Sequence, residues 1–293
     1  MKYHSKVLLF GEHTVVKGSQ ALAMPLDKHF GTWQFATDSI ETQKLQQKLP
    51  QFEQYLQTQA LEEVLNLASF SKELDRGLYF ESTIPTGYGM GSSGALCAAI
   101  FNRYKKQEIT DLPSLKRLFG KMESYFHGSS SGMDPLVCYL NYPILFSKKE
   151  IKKISLPTAT PFELGAIFLL DTHIQRETAP FVNGFLERCT IPIYNEHCTE
   201  ILAPLVNQAI AHYLAGNWQA LYEAWATLSQ FQFNYFDFMI PTSFKKVWKQ
   251  GLVEPHFKLK ICGAGGGGYL LGITKDFAAT KESLSDYDLI QIG

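Results

Sequence analysis

Glu123, His127 and Asp134 are the side chains from which chemistry can first be argued. Glu123 and His127 stand four apart in a stretch that reads as helix, so they share a face. Asp134 follows a turn of Gly128, three serines, Gly132 and Met133, which brings two carboxylates to one loop. Moving a phosphoryl group from a nucleotide to a hydroxyl needs such a pair: one carboxylate for magnesium, another to orient or deprotonate the attacking oxygen. Taken singly, each has a plainer reading. Asp134 before Pro135 can be a turn or cap residue, Glu123 a solvated helix position and His127 a hydrogen-bonded structural histidine. A second candidate is the run from Gly87 to Ala95, GYGMGSSGA. It lies between a strand-like and a helix-like segment, where free amides and the helix dipole attract an anion and glycines let backbone approach phosphate closely. Its plainer reading is a flexible turn with a serine cap. The chain has no GxxxxGK[ST], and this loop is not a GxGxxG followed by an acid about 20 residues on, so P-loop and dinucleotide readings lose weight.

The elements around these residues follow from periodicity. Val7 to Phe10 reads as a short strand, Gly31 to Thr37 as extended, and Ile40 to Glu73 as helical with a break at Pro50. Leu78 to Ile84 alternates as a strand, Ala95 to Tyr104 and Leu115 to Phe126 read as helices, and Leu136 to Phe146 as extended. Lys148 to Pro161 has two prolines and little periodicity and marks a boundary between domains 1–155 and 156–293. Beyond it come a buried strand Ala166 to Leu170, helices His197 to Leu214 and Trp218 to Phe231, and strands Phe257 to Ile261 and Tyr269 to Ile273 around a glycine run.

Composition narrows the class. At 293 residues, against roughly 100 to 200 per domain, the length suggests two domains. The 27 basic and 28 acidic side chains leave a net charge of -1, so nucleic acid and anionic membranes are not expected partners. Apolar runs fall far short of the roughly 18 residues of a membrane span, and Gly11, Glu12 and His13 interrupt the first one, so neither a span nor a signal peptide is expected. Five cysteines without close pairing point to a reducing, cytoplasmic setting.

Three segments in order, KVLLFGEHTVVKG from Lys6 to Gly18, PTGYGMGSS from Pro85 to Ser93 and GAGGGG from Gly263 to Gly268, resemble the three motifs of the GHMP kinases. Within that superfamily, Glu123 to Asp134 and DTHIQRET from Asp171 to Thr178 are most similar to the mevalonate kinase family. The resemblance implies an α/β (α+β) fold of two lobes, an N-terminal one like ribosomal protein S5 domain 2 and a C-terminal ferredoxin-like sandwich. It implies ATP and Mg2+ as cofactors, with Gly87, Tyr88, Gly89, Met90, Gly91, Ser92, Ser93 and Gly94 around the nucleotide phosphates. Ser93 and Glu123 would hold the metal; Asp134 would be catalytic and Lys6 its positive partner. Glu12, His13, Arg176, Thr178, Gly263, Ala264 and Gly265 would bind the acceptor, a small alcohol, with mevalonate the first expectation. An anionic acceptor calls for a positive side chain, and Arg176 and Lys17 are available. Other GHMP enzymes (phosphomevalonate kinase, diphosphomevalonate decarboxylase, a sugar kinase) and a non-catalytic sensor are the alternatives, and a homodimer is an analogy only. The chain departs from the pattern at His4-Ser5 in place of Pro-Gly, at Gly94 in place of alanine, at His173 in place of lysine and at Tyr269 in place of cysteine.

Overall fold

A computed structural model describes residues 1–36, 49–157 and 165–292. They pack as two compact units. The first comprises Met1–Lys6, Met24–Pro85 and Met90–Tyr142; the second Val7–Ala23, Thr86–Gly89 and Pro143–Gly293. Strands β1 (Tyr3–Phe10) and β2 (Ala21–Phe35) run through both units, so the opening segment contributes Lys6 to one and Glu12 and His13 to the other.

In the first unit the far end of β2 pairs antiparallel with β3 (Leu78–Ser82), Gly31 opposite Ser82. Helices α1 (Leu49–Thr58), α2 (Leu67–Asp75), α3 (Ser92–Tyr104), α4 (Leu112–His127) and α5 (Met133–Leu140) complete it. Pro50, read as a break, lies in the first turn of α1, where a missing amide costs nothing; residues 40–48 of that reading lie outside the described ones. The reading of Leu136 to Phe146 as extended is corrected. Met133–Leu140 is helical and only Ile144–Phe146 (β4) is strand. Helix α5 lies against both α3 and α4 and buries Met133, Pro135, Leu136, Val137 and Cys138, so it is apolar almost all round and shows no helical period.

In the second unit the near end of β2 pairs with β4, and β4 with β5 (Ile151–Lys153). An antiparallel sheet of order β7-β8-β6-β9 follows, formed by β6 (Ala166–Asp171), β7 (Phe257–Ile261), β8 (Tyr269–Thr274) and β9 (Leu289–Gln291). Every residue of β7 and β8 is buried. Helix α6 (Ala179–Arg188) follows β6; α7 (Pro192–Glu196) and a π turn (His197–Leu202) lead into α8 (Ala203–Leu214). Thus the stretch read as one helix from His197 starts as a π turn. Helices α9 (Trp218–Tyr235) and α10 (Lys245–Val253) pack on β7, and α11 (Phe277–Ser283) precedes β9. Lys258 on β7 ends α10 by donating to the carbonyls of Gly251 and Glu254, both at 2.7 Å, a cation on the negative end of a helix. Among the described residues no helix is long and apolar enough to cross a membrane.

Candidate active site

The first unit assembles the acid cluster. Lys6 is buried on β1, and its ammonium lies 2.7 Å from Asp134 Oδ2. Its backbone amide donates to the Met90 carbonyl at 3.0 Å, and its side chain passes over Gly91, where a Cβ would come within 2.8 Å of Lys6 Cγ. The Lys6 side chain is only 4% exposed and that of Asp134 36%, so the lysine is fixed while the carboxylate stays open to a ligand. Asp134 sits in the first turn of α5, where the helix dipole favours a negative charge.

Ser93 and Glu123 meet as well. Ser93 Oγ donates to Glu123 Oε1 at 2.9 Å, and Ser130 Oγ donates to Oε2. Because the serine has one proton and gives it to Glu123, His127 Nε2, 3.0 Å from Ser93 Oγ, must be the donor in that contact. Burial first, and then the nearby charge of Asp134, raises the Glu123 carboxyl to about 7. Ser130 was not anticipated; its signal was only a hydroxyl in the serine turn.

Two glycines allow this convergence. Gly132, at φ 71, lies so close to α4 that a Cβ would stand 2.0 Å from the Lys116 carbonyl oxygen. At Gly94 a Cβ would come within 2.9 Å of the Asp134 and Pro135 backbone, so any side chain there would force the two helices apart. Helix α3 has no side-chain cap, leaving its first amides for an anion.

Magnesium is a hard cation that takes one or two protein oxygens and completes its shell with phosphate and water. A serine hydroxyl and a buried carboxylate whose ionisation a cation would favour fit that demand. Among the described residues no cluster of three or more His, Cys, Asp or Glu side chains could hold a metal unaided.

The second unit assembles most of the expected acceptor set. His13, at φ 61 and packed on Phe185 and Phe236, donates from Nε2 to the Ala264 carbonyl at 3.1 Å. Burial lowers its pKa to about 4; the bond to Ala264 opposes the shift and Arg176 adds to it. Arg176 donates from Nη1 to Thr178 Oγ1 at 2.9 Å and from its backbone to the Gly87 carbonyl at 3.1 Å. Its Nη2 lies beside Gly89 and Gly263, 2.6 and 3.0 Å from where a Cβ would stand. Gly265 turns instead toward Met239, and Lys17 is engaged by Asn195 Oδ1 at 2.8 Å. Tyr88 and Tyr269 stack edge to face at 5.2 Å, and both pKa values are raised, by burial first and then by the nearby charge of Asp171. His173 is exposed and lies 3.0 Å from Asp288. Glu12 is buried and paired with Lys260, a residue the motifs did not mark because it lies in an apolar strand.

Residues 55–142, which include the glycine loop and the acid cluster, match the GHMP kinases N terminal domain. The chain is 26% identical over 172 residues to a mevalonate kinase of Thermococcus sibiricus, a match covering 51% of this chain and 52% of that protein. It is 28% identical over 176 residues to a mevalonate kinase of Pyrococcus abyssi, 51% of each. The chain thus spans about half the length of the curated relatives it matches. The fold is similar to that of L. major mevalonate kinase in complex with R-mevalonate, with a TM-score of 0.65 at 16% identity over 97% of this chain and 89% of that one. It is also similar to Streptococcus pneumoniae phosphomevalonate kinase in complex with phosphomevalonate and AMPPNP, with a TM-score of 0.68 at 14% identity over 100% and 99%. At these identities the structural likeness speaks for the two-lobed GHMP kinase fold.

Proposed function

We propose that this chain transfers a phosphoryl group from ATP to the primary hydroxyl of mevalonate, giving 5-phosphomevalonate. The observation that carries the reading is the Lys6–Asp134 contact at 2.7 Å in the same packed unit as the Ser93–Glu123 contact at 2.9 Å. A binding module would need the loop but not this pairing of an open carboxylate with a buried lysine.

The residues divide the work by their chemistry. Asp134 accepts the proton of the attacking hydroxyl, and Lys6, in contact with that carboxylate, stabilises charge on the transferring group. The amides at the start of α3 and the loop from Gly87 to Gly94 hold the nucleotide phosphates. Ser93 and Glu123 would hold magnesium, which when bound neutralises phosphate charge. In the second unit, the Arg176 guanidinium binds the acceptor carboxylate, oriented by its bond to Thr178. His13 stays neutral and its ring is fixed by Ala264.

A coupled ADP-release assay with magnesium and ATP, offering mevalonate, phosphomevalonate, diphosphomevalonate and sugars in parallel, tests the reading. Turnover on mevalonate supports it; turnover confined to another acceptor replaces the substrate.

A further inference from the structure

We propose that Ser130 is a positioning residue for Glu123: its hydroxyl holds Oε2, so that Oε1, the oxygen shared with Ser93, is the one presented to magnesium. The proposal rests on the functional reading above in one respect, that Ser93 and Glu123 hold the metal.

Glu123 is 4% exposed, and each of its oxygens accepts from one serine, Oε1 from Ser93 at 2.9 Å and Oε2 from Ser130. The two bonds differ in what they can do. The Ser93 proton lies between the two groups expected to share the cation and must turn away when they do. The Ser130 bond lies on the other oxygen and is kept. A carboxylate oxygen this deeply buried needs a donor, and a hydroxyl on a charged acceptor makes one of the stronger hydrogen bonds. Held at Oε2, the long glutamate side chain is fixed in direction before any metal arrives, as ligands of metals commonly are by a neighbour on their other side.

The fold builds this contact deliberately from both ends of the turn. Helix α4 stops at His127, and Gly128, at φ 72, sends the chain back along the helix. The turn is pressed onto α4 at Gly120, where a Cβ would stand 3.0 Å from the Ser130 carbonyl oxygen. Gly120 and Glu123 are three apart and share a helix face, so the residue lying over the glycine is the one that reaches the carboxylate. At the other end, Ser130 Oγ accepts from the Gly132 amide at 3.0 Å, two residues before Asp134. The amide brings its own proton, so the single serine proton goes to Glu123. Ser131 supplies an internal comparison. Its hydroxyl accepts from the Met133 amide at 3.3 Å in the same way, and among the described residues it has no bond to Glu123.

The test is calorimetric titration with AMPPNP, in excess magnesium and in EDTA, of wild type, Ser130→Ala, Ser130→Thr and Ser131→Ala. Magnesium is expected to tighten AMPPNP binding to wild type. Ser130→Ala is expected to lose about tenfold or more in affinity with magnesium while its metal-free affinity changes less than about twofold. Ser130→Thr, which keeps the hydroxyl, and Ser131→Ala, which removes only the turn contact, are expected to stay within about twofold of wild type in both conditions. An unchanged affinity in Ser130→Ala, or an equal loss with and without magnesium, overturns the proposal while mevalonate turnover by wild type keeps the functional reading. A loss as large in Ser130→Thr or Ser131→Ala also overturns it, since the shape of the turn would then be the cause. If magnesium does not tighten AMPPNP in wild type, the assignment of the metal to Ser93 and Glu123 falls and the proposal falls with it. Should Ser130→Ala fail to fold, Ser130→Cys, similar in size with a weaker donor, is read in its place against the same outcomes.

Discussion

Asp134 shares one oxygen with a buried lysine and keeps 36% of its side chain exposed, the arrangement of a group waiting for a ligand rather than closing a core. Asp134→Ala is expected to lower turnover by about 10²–10⁴-fold while nucleotide affinity is largely kept, measured by the ADP-release assay and by nucleotide titration. Full activity would remove the assigned role. Ser93→Ala is expected to weaken magnesium-nucleotide binding, seen as a rise in the magnesium concentration needed for half-maximal rate. His13 gives a pH prediction. Its folded pKa is about 4 against an ordinary value of 6.5, so the unfolded chain binds the proton first as pH falls. The stability this residue contributes is complete above about pH 6.5 and lost as pH falls toward 4. His13→Asn, which tolerates the positive φ, should flatten the fall in thermal midpoint over that window; an unchanged slope would contradict it. At this scale Lys6, Ser93, Glu123 and Asp134 could be singled out in the sequence because each sits in a short motif. Ser130 and Lys260 could not. Their significance lies in partners, Glu123 and Glu12, that only folding supplies.

At the scale of elements, convergence of α3, α4 and α5 places these side chains, and two glycines permit it. Gly132→Ala would force a Cβ to 2.0 Å from a backbone oxygen at φ 71. The expected loss is about 1–3 kcal/mol, read as a lower denaturant midpoint. Gly128→Ala is the control, at φ 72 with nothing within 4 Å of its Cβ, and should cost less. Equal losses would mean that backbone strain, not the close approach, sets the cost. Most strands and long helices could be read from periodicity, but α5 could not. Buried against two helices, it has no polar face to mark a period, and Pro135 in its first turn looks like a breaker. Strand β2 was seen only from Gly31 because Pro25, Asp27 and Lys28 interrupt its earlier alternation.

At the scale of the molecule, the residues expected to transfer the phosphoryl group and those expected to recognise the acceptor belong to different packing units. Asp134→Ala in the first should act on kcat, and Arg176→Met in the second chiefly on KM for the acceptor. Steady-state kinetics on the two proteins check this division, and a large KM change for ATP in Arg176→Met would contradict it. The most direct test of the central claim is ADP release by wild type with magnesium and ATP, with and without mevalonate. The account predicts release that depends on mevalonate and disappears in Asp134→Ala. Release that ignores mevalonate, or that survives unchanged in Asp134→Ala, would contradict it.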